Sequence, residues 1–254
     1  MSIDEAPGGE MSGEGGLLTV LGAAAELLAG GEVDAAVAAL FSAWSKDPGN
    51  LNLAISYASL LAQAGRESEA EDLFSTLADE SPRDGRVWNN WGYLLLARGE
   101  ADLALAKLGR ALELAPDDFE ATVNSGIALD KLGRTAEAID CHRRATLANP
   151  DSPVAFNNLG AALWRAGRGG EALAAFRRAL ELNPRDSSAA NNLGVVKMAS
   201  GDFAGAEEYF RQAKRFDPDS VAAKRNLAAA RRGLKRGQPV SEEEKCREKP
   251  PSLF

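Results

Sequence analysis

The sequence predicts an all-α fold, a solenoid of stacked helix-turn-helix units, and three columns of residues predict it. Pro48, Pro82, Pro116, Pro150, Pro184 and Pro218 fall 34 residues apart without exception. Gly31, Gly65, Gly99, Gly133, Gly167 and Gly201 keep the same step, as do Ala36, Ala70, Ala104, Ala138, Ala172 and Ala206. A fixed period of this length marks an architecture in which each unit rests on its neighbours.

Each column has a physical task. The Gly follows a helical pattern and supplies the positive φ that ends a helix and admits a tight turn. The Ala lies on the second helix where the first crosses it, and a larger side chain there would push the axes apart. Gly92, Gly126, Gly160 and Gly194, with Ala24 and Ala58 in the earlier units, are the matching small residues on the first helix. The Pro stands at the end of the second helix, which it cannot continue.

Taken in order, the units are 17–50, 51–84, 85–118, 119–152, 153–186 and 187–220. The first carries Leu18, Leu21, Ala25 and Leu28 on its inner sites, an apolar patch fit for a tail, a partner helix or a second copy of the chain. In the third, Trp88, Trp91 and Leu95 step by three and four, and Ala104, Leu108 and Ala111 do so on the second helix. The fourth has His142 where Phe74, Phe176 and Phe210 stand elsewhere, so looser packing is expected there. Phe156, Leu159, Leu163 and Phe176 restore the pattern in the fifth. The sixth substitutes Lys197 for the Leu of other units, a stem that can be buried while its amine reaches solvent. Residues 221–237 read as a half-unit, a polar helix capping the stack. The flanks 1–16 and 238–254 are expected to be disordered tails.

The units GRVWNNWGYLLLARGEADLALAKLGRALELAPDD (85–118) and PVAFNNLGAALWRAGRGGEALAAFRRALELNPRD (153–186) resemble tetratricopeptide repeats at nearly every signature position. The resemblance covers 17–220 and implies a right-handed superhelix that works as an interaction scaffold or adaptor, chaperone-like in binding a partner's extended segment in a concave groove. The carboxylate clamp of heat-shock co-chaperones needs Lys at site 5 and Asn at site 9 of a repeat. Neither occurs in any unit, so that specificity is not expected.

Inner faces of such arrays are lined mainly by the first helices. Sites 2, 6, 9 and 13 step by four, three and four, and so form one stripe. Site 6 holds Asn90, Asn124, Asn158, Asn192 and Asn226. An amide that both donates and accepts can bond the backbone of an extended peptide whatever its side chains. The column resembles the asparagine ladder in the repeat superhelix of O-linked N-acetylglucosamine transferases, although this sequence leaves no residues for their catalytic domain. Five rungs at about 1 kcal/mol each would contribute roughly 5 kcal/mol, so side-chain pockets must add the rest. Arg86, Tyr93, Ile127, Lys131, Trp164, Arg165 and Met198 are the candidates.

Little in the sequence suggests chemistry. His142 is the only histidine, and its neighbour Cys141 points about 100° away on a helix, so the two make a poor nucleophile pair. No phosphate loop, dinucleotide fingerprint or metal-ligand spacing occurs, and neither an enzyme nor a cofactor is expected. No apolar stretch approaches the about 20 residues of a membrane span, and the acidic, Gly-rich start is unlike a secretory signal. A cytoplasmic protein is therefore expected.

The net charge of −8 hides a gradient. Residues 1–84 hold three basic and fifteen acidic residues, a balance of −12, while 221–254 hold nine basic and four acidic, a balance of +5. Lys224, Arg225, Arg231, Arg232, Lys235 and Arg236 support a rival reading, binding of nucleic acid or another anionic surface. A capping helix must be hydrophilic on its outer face anyway, so this reading ranks second.

Overall fold

The computed structural model describes residues 14–236, and these residues hold thirteen α-helices and no strand. They divide into two compact units, the division in the chain falling between Pro116 and Asp117. Unit one contains α1 (Glu14–Ala29), α2 (Val33–Lys46), α3 (Leu51–Gln63), α4 (Glu67–Glu80), α5 (Gly85–Ala97) and α6 (Ala101–Leu114). Unit two contains α7 (Phe119–Lys131), α8 (Thr135–Ala148), α9 (Pro153–Arg165), α10 (Gly169–Leu182), α11 (Ser187–Ala199), α12 (Phe203–Phe216) and α13 (Val221–Arg236). The all-helical reading holds. Residues 14–16, expected in the N-terminal tail, instead form the first turn of α1. The rest of both expected tails lies outside the described residues.

Helix ends are built by the same few devices in every repeat. All six turn glycines have positive φ, between 72° and 82°. At each, the residue after the Gly closes the helix with a long bond back to a carbonyl five residues earlier, as Arg66 N–H does to Leu61 and Arg168 N–H to Leu163. First helices start under a side-chain cap: Asn50, Asp84, Asp118, Ser152 and Asp186 each accept a backbone N–H of the first turn. Second helices α4, α8 and α10 lack that cap, and an Arg–Glu pair spans their first turn instead: Arg66–Glu69, Arg134–Glu137 and Arg168–Glu171.

In the third to sixth repeats, packing between paired helices turns on one bulky residue against one glycine. A Cβ on Gly160 would stand 2.6 Å from the ring of Phe176, and one on Gly194 2.5 Å from Phe210. Only a glycine lets these axes approach so closely, and each ring is wholly buried, an effect of about 2–3 kcal/mol. The alanine column is buried throughout, from Ala36 to Ala206. In unit two a cluster around Phe176, Leu163 and Leu193 is followed by one around Phe210, Leu227 and Ala230.

His142 takes the place of the phenylalanine in full. It is 0% exposed and lies against Gly126, so that position is buried completely. Its Nε2 is 3.1 Å from Asp130 Oδ2, and the same oxygen meets Arg165 Nη2 at 2.5 Å. One carboxylate thus links three successive helices, α7, α8 and α9. Lys197 is partly buried, and its amine bonds the partly exposed Asp202 Oδ2 at 2.9 Å. Asp202 caps α12 through Gly205 N–H, and the Lys197 ammonium, with that N–H, holds its carboxyl below the usual range.

Candidate functional site

Within unit two the first helices form a continuous layer, α7 against α9, α9 against α11 and α11 against α13. In unit one α3 packs on α5 in the same way. The stripe of sites 2, 6, 9 and 13 therefore lies on adjoining helices inside each unit, and its residues can be taken one by one.

On α5 the stripe is open. Arg86 and Tyr93 are exposed, Tyr93 to 58%, and Asn90 is half-buried. Arg86 bonds both oxygens of Asp84 and also Asn52 Oδ1 at 2.6 Å, which fixes its guanidinium over the start of the helix. That contact holds the Asp84 carboxyl below its ordinary range. Asn90 donates to the Arg86 carbonyl at 2.8 Å and accepts weakly from Ser59 at 3.5 Å.

Unit two corrects the ladder. Asn192 is 0% and Asn226 2% exposed, so neither presents an amide to a ligand. Asn192 Nδ2 donates to Asn157 Oδ1 at 3.0 Å, and Asn226 Nδ2 donates to Asn191 Oδ1 at 2.9 Å. Both bonds join neighbouring first helices, so these two amides hold repeat to repeat. Asn158 is the exception. The residue 35 positions before it is Val123, which offers no side-chain acceptor, and the Asn158 Nδ2 has no partner. Asn124 is half-buried and engaged.

The other candidates separate in the same fashion. Lys131 is exposed at the end of α7, and Ile127 is half-buried. Arg165 is committed to Asp130. Trp164 and Met198 are partly buried and pack on the Phe210 cluster, with Trp164 also touching the Phe176 cluster. A large apolar side chain at site 12 is drawn into the core between repeats, so these two are packing residues rather than groove residues. On α1, Leu18 is 70% exposed and Ala25 exposed, while Leu21 and Leu28 are half-buried.

What sequence reasoning missed is the partner column at site 5. Asn89, Asn157 and Asn191 are all buried. The signal was present as the Asn-Asn doublets at 89–90, 157–158 and 191–192. Two adjacent amides on a helix face different neighbours, so a doublet repeated at one period marks a bond between units. Also missed was the stacked pair Trp88–Trp91 with Lys107 Nζ 3.4 Å from the centre of the Trp91 ring. Burial there lowers the Lys107 pKa.

Of the basic residues on α13, Arg231 is tied to Glu207 Oε1 at 3.0 Å, Lys224 lies 3.8 Å from Asp219 and Arg225 is also engaged. The side chains of Lys235 and Arg236 lie outside the described residues. Among the described residues, no cluster of His, Cys, Asp and Glu could hold a metal, and no helix is long and apolar enough to cross a membrane. Burial raises the Cys141 thiol pKa, away from the reactive thiolate form.

A repeated helix pair with a positive-φ glycine between its members and a small residue where they cross defines a helical repeat protein. Two sequence profiles for the Tetratricopeptide repeat match the chain, one at 27–89 and 95–163, the other at 157–221, and the chain belongs to that family. Its members generally mediate protein–protein interactions. No curated protein matches the chain. Solved structures agree on the fold. YrrB, "a TPR protein with an unusual peptide-binding site", is 20% identical over 73% of this chain and 96% of its own, with a TM-score of 0.57. TTC0263, a thermophilic TPR protein of Thermus thermophilus, is 19% identical over 70% and 96%, with a TM-score of 0.59. In the APC/C hetero-tetramer Cut9-Hcn1 the match is 20% identical over 90% of this chain and 45% of the other, with a TM-score of 0.68.

Proposed function

We propose that the chain is an interaction scaffold that holds an extended segment of a partner protein along its first helices. The observation that carries this reading is the open stripe on α5, where a guanidinium, an amide and a 58% exposed tyrosine ring follow one another at helical spacing. A ring exposed on a rigid helix gives a large contact area at little entropic cost, and Asn90 and Arg86 beside it supply polar contacts. In unit two, taken by itself, Lys131 is the exposed candidate contact, at the end of α7. The likeness to YrrB, described as having a peptide-binding site, is consistent with this reading. Asn192 and Asn226 are left out of it because they are buried and their amides join helices.

Selection of peptides from a displayed library on the whole chain provides ligands for the test. Tyr93→Ala should then weaken the selected peptides about tenfold while leaving the melting temperature unchanged. Equal affinity for wild type and variant would reject the stripe as the binding face.

A further inference from the structure

A second site lies at the far end of unit two, between α12 and α13. A cleft of about 340 Å³ is lined there by Lys214, Lys224, Arg231 and Arg232, with Leu227 and Ala228 between them. Lys214 and Arg232 are exposed and pair with no described acid, while Arg231 and Lys224 each meet a single carboxylate. Four cations around an apolar floor give a site that favours a carboxylate-bearing segment with an apolar residue beside its acids. The α13 face also leaves Val221 77% and Leu234 43% exposed, so the end of the array is both basic and apolar.

The sequence contains a segment of the complementary kind. Residues 1–13 carry Asp4, Glu5 and Glu10 with no basic side chain, and Ile3 precedes the first two acids directly. Behind them, α1 is apolar on its open face, with Leu18 70% exposed and Ala25 open to solvent. The charge of the chain is arranged to match, −12 over residues 1–84 against +5 over 221–254. Opposite charge at the two ends of a chain favours contact between the head of one copy and the tail of the next.

We infer that the α12–α13 cleft binds the acidic segment 1–13 of a second copy of this chain, giving head-to-tail association. Isolated surface ion pairs contribute little, so the association should be weak, salt-sensitive and dependent on several cations acting together. Nucleic acid is the competing occupant, and it lacks an apolar residue to place on Leu227 and Ala228.

The probe is a fluorescent synthetic peptide of residues 1–13, titrated with the whole chain and followed by anisotropy. Binding at about 50 mM salt that fades by about 300 mM is expected. The exposed-site variant Lys214→Glu/Arg232→Glu should weaken it at least about tenfold. A peptide with Asp4→Lys and Glu5→Lys should in turn prefer that variant, a result that loss of folding cannot mimic. Sedimentation equilibrium of the whole chain should show mass rising with concentration at low salt, and the variant should stay monomeric. The inference is overturned if the peptide does not bind or if the variant binds it equally. It is also overturned if a polyglutamate or an oligonucleotide of equal charge binds as tightly, or if the chain stays monomeric at every concentration.

Discussion

The α9–α11 and α7–α9 interfaces of unit two are made from the same repeat, yet they treat the same asparagine differently. Between α9 and α11, Asn192 finds Asn157 and is sealed from solvent. Between α7 and α9, the residue 35 places before Asn158 is Val123, and the Asn158 nitrogen bonds nothing. The difference teaches that a column of identical residues is not a column of identical roles. For Asn192 and Asn226 the partner stands 35 residues earlier, on the neighbouring first helix.

The comparison can be broken most directly at Asn192. Asn192→Ala strands the buried Asn157 acceptor and opens a small void, and it should cost about 2–3 kcal/mol in urea unfolding. Asn158→Ala, which removes an amide with no partner for its nitrogen, should cost under about 1 kcal/mol. Equal losses at the two sites would mean that the amide bond between α9 and α11 contributes nothing special.

A smaller and opposite effect is expected at Val123. Val123→Asn supplies the missing acceptor and should stabilise the fold by about 1 kcal/mol, offset in part by the lost apolar burial. Should it destabilise instead, the valine is there for packing and the gap in the ladder is incidental.

The smallest effect concerns Lys197 and acid. Asp202 is held below its ordinary pKa chiefly by the Lys197 ammonium. Its ion pair therefore stabilises the fold above about pH 4, where the unfolded chain's Asp is also ionised, and is lost as pH falls through the depressed folded value. Lys197→Leu should lower stability at neutral pH by no more than about 0.2–1 kcal/mol, because the pair is partly exposed. The urea midpoints of the two proteins should converge only once the pH falls below that depressed value. A constant gap at all pH values would assign the effect to packing of the Lys stem.

The fold was legible because its determinants are local and repeat. A positive-φ glycine, a terminating proline and a small residue at a crossing each act within one helical hairpin, so counting in steps of 34 finds them. The candidate site was legible only in part. Arg86 and Tyr93 stand exposed on α5. Asn192, Asn226, Trp164 and Met198 do not, because their surroundings come from the neighbouring repeat. His142 shows the limit from the other side: position alone predicted packing, but the shared carboxylate of Asp130 joins residues from three helices and has no counterpart in the other repeats.

The pairing of Asn192 and Asn226 with amides 35 places back also sets rules for editing the array. Excising 187–220 would leave Asn226 facing Asn157, a match in donor and acceptor that the shortened array inherits ready-made. Excising 153–186 would leave Asn192 facing Val123 and reproduce the existing mismatch in a fully enclosed setting. Two deletions of identical length, both in phase with the period, should thus differ in how well the new seam heals.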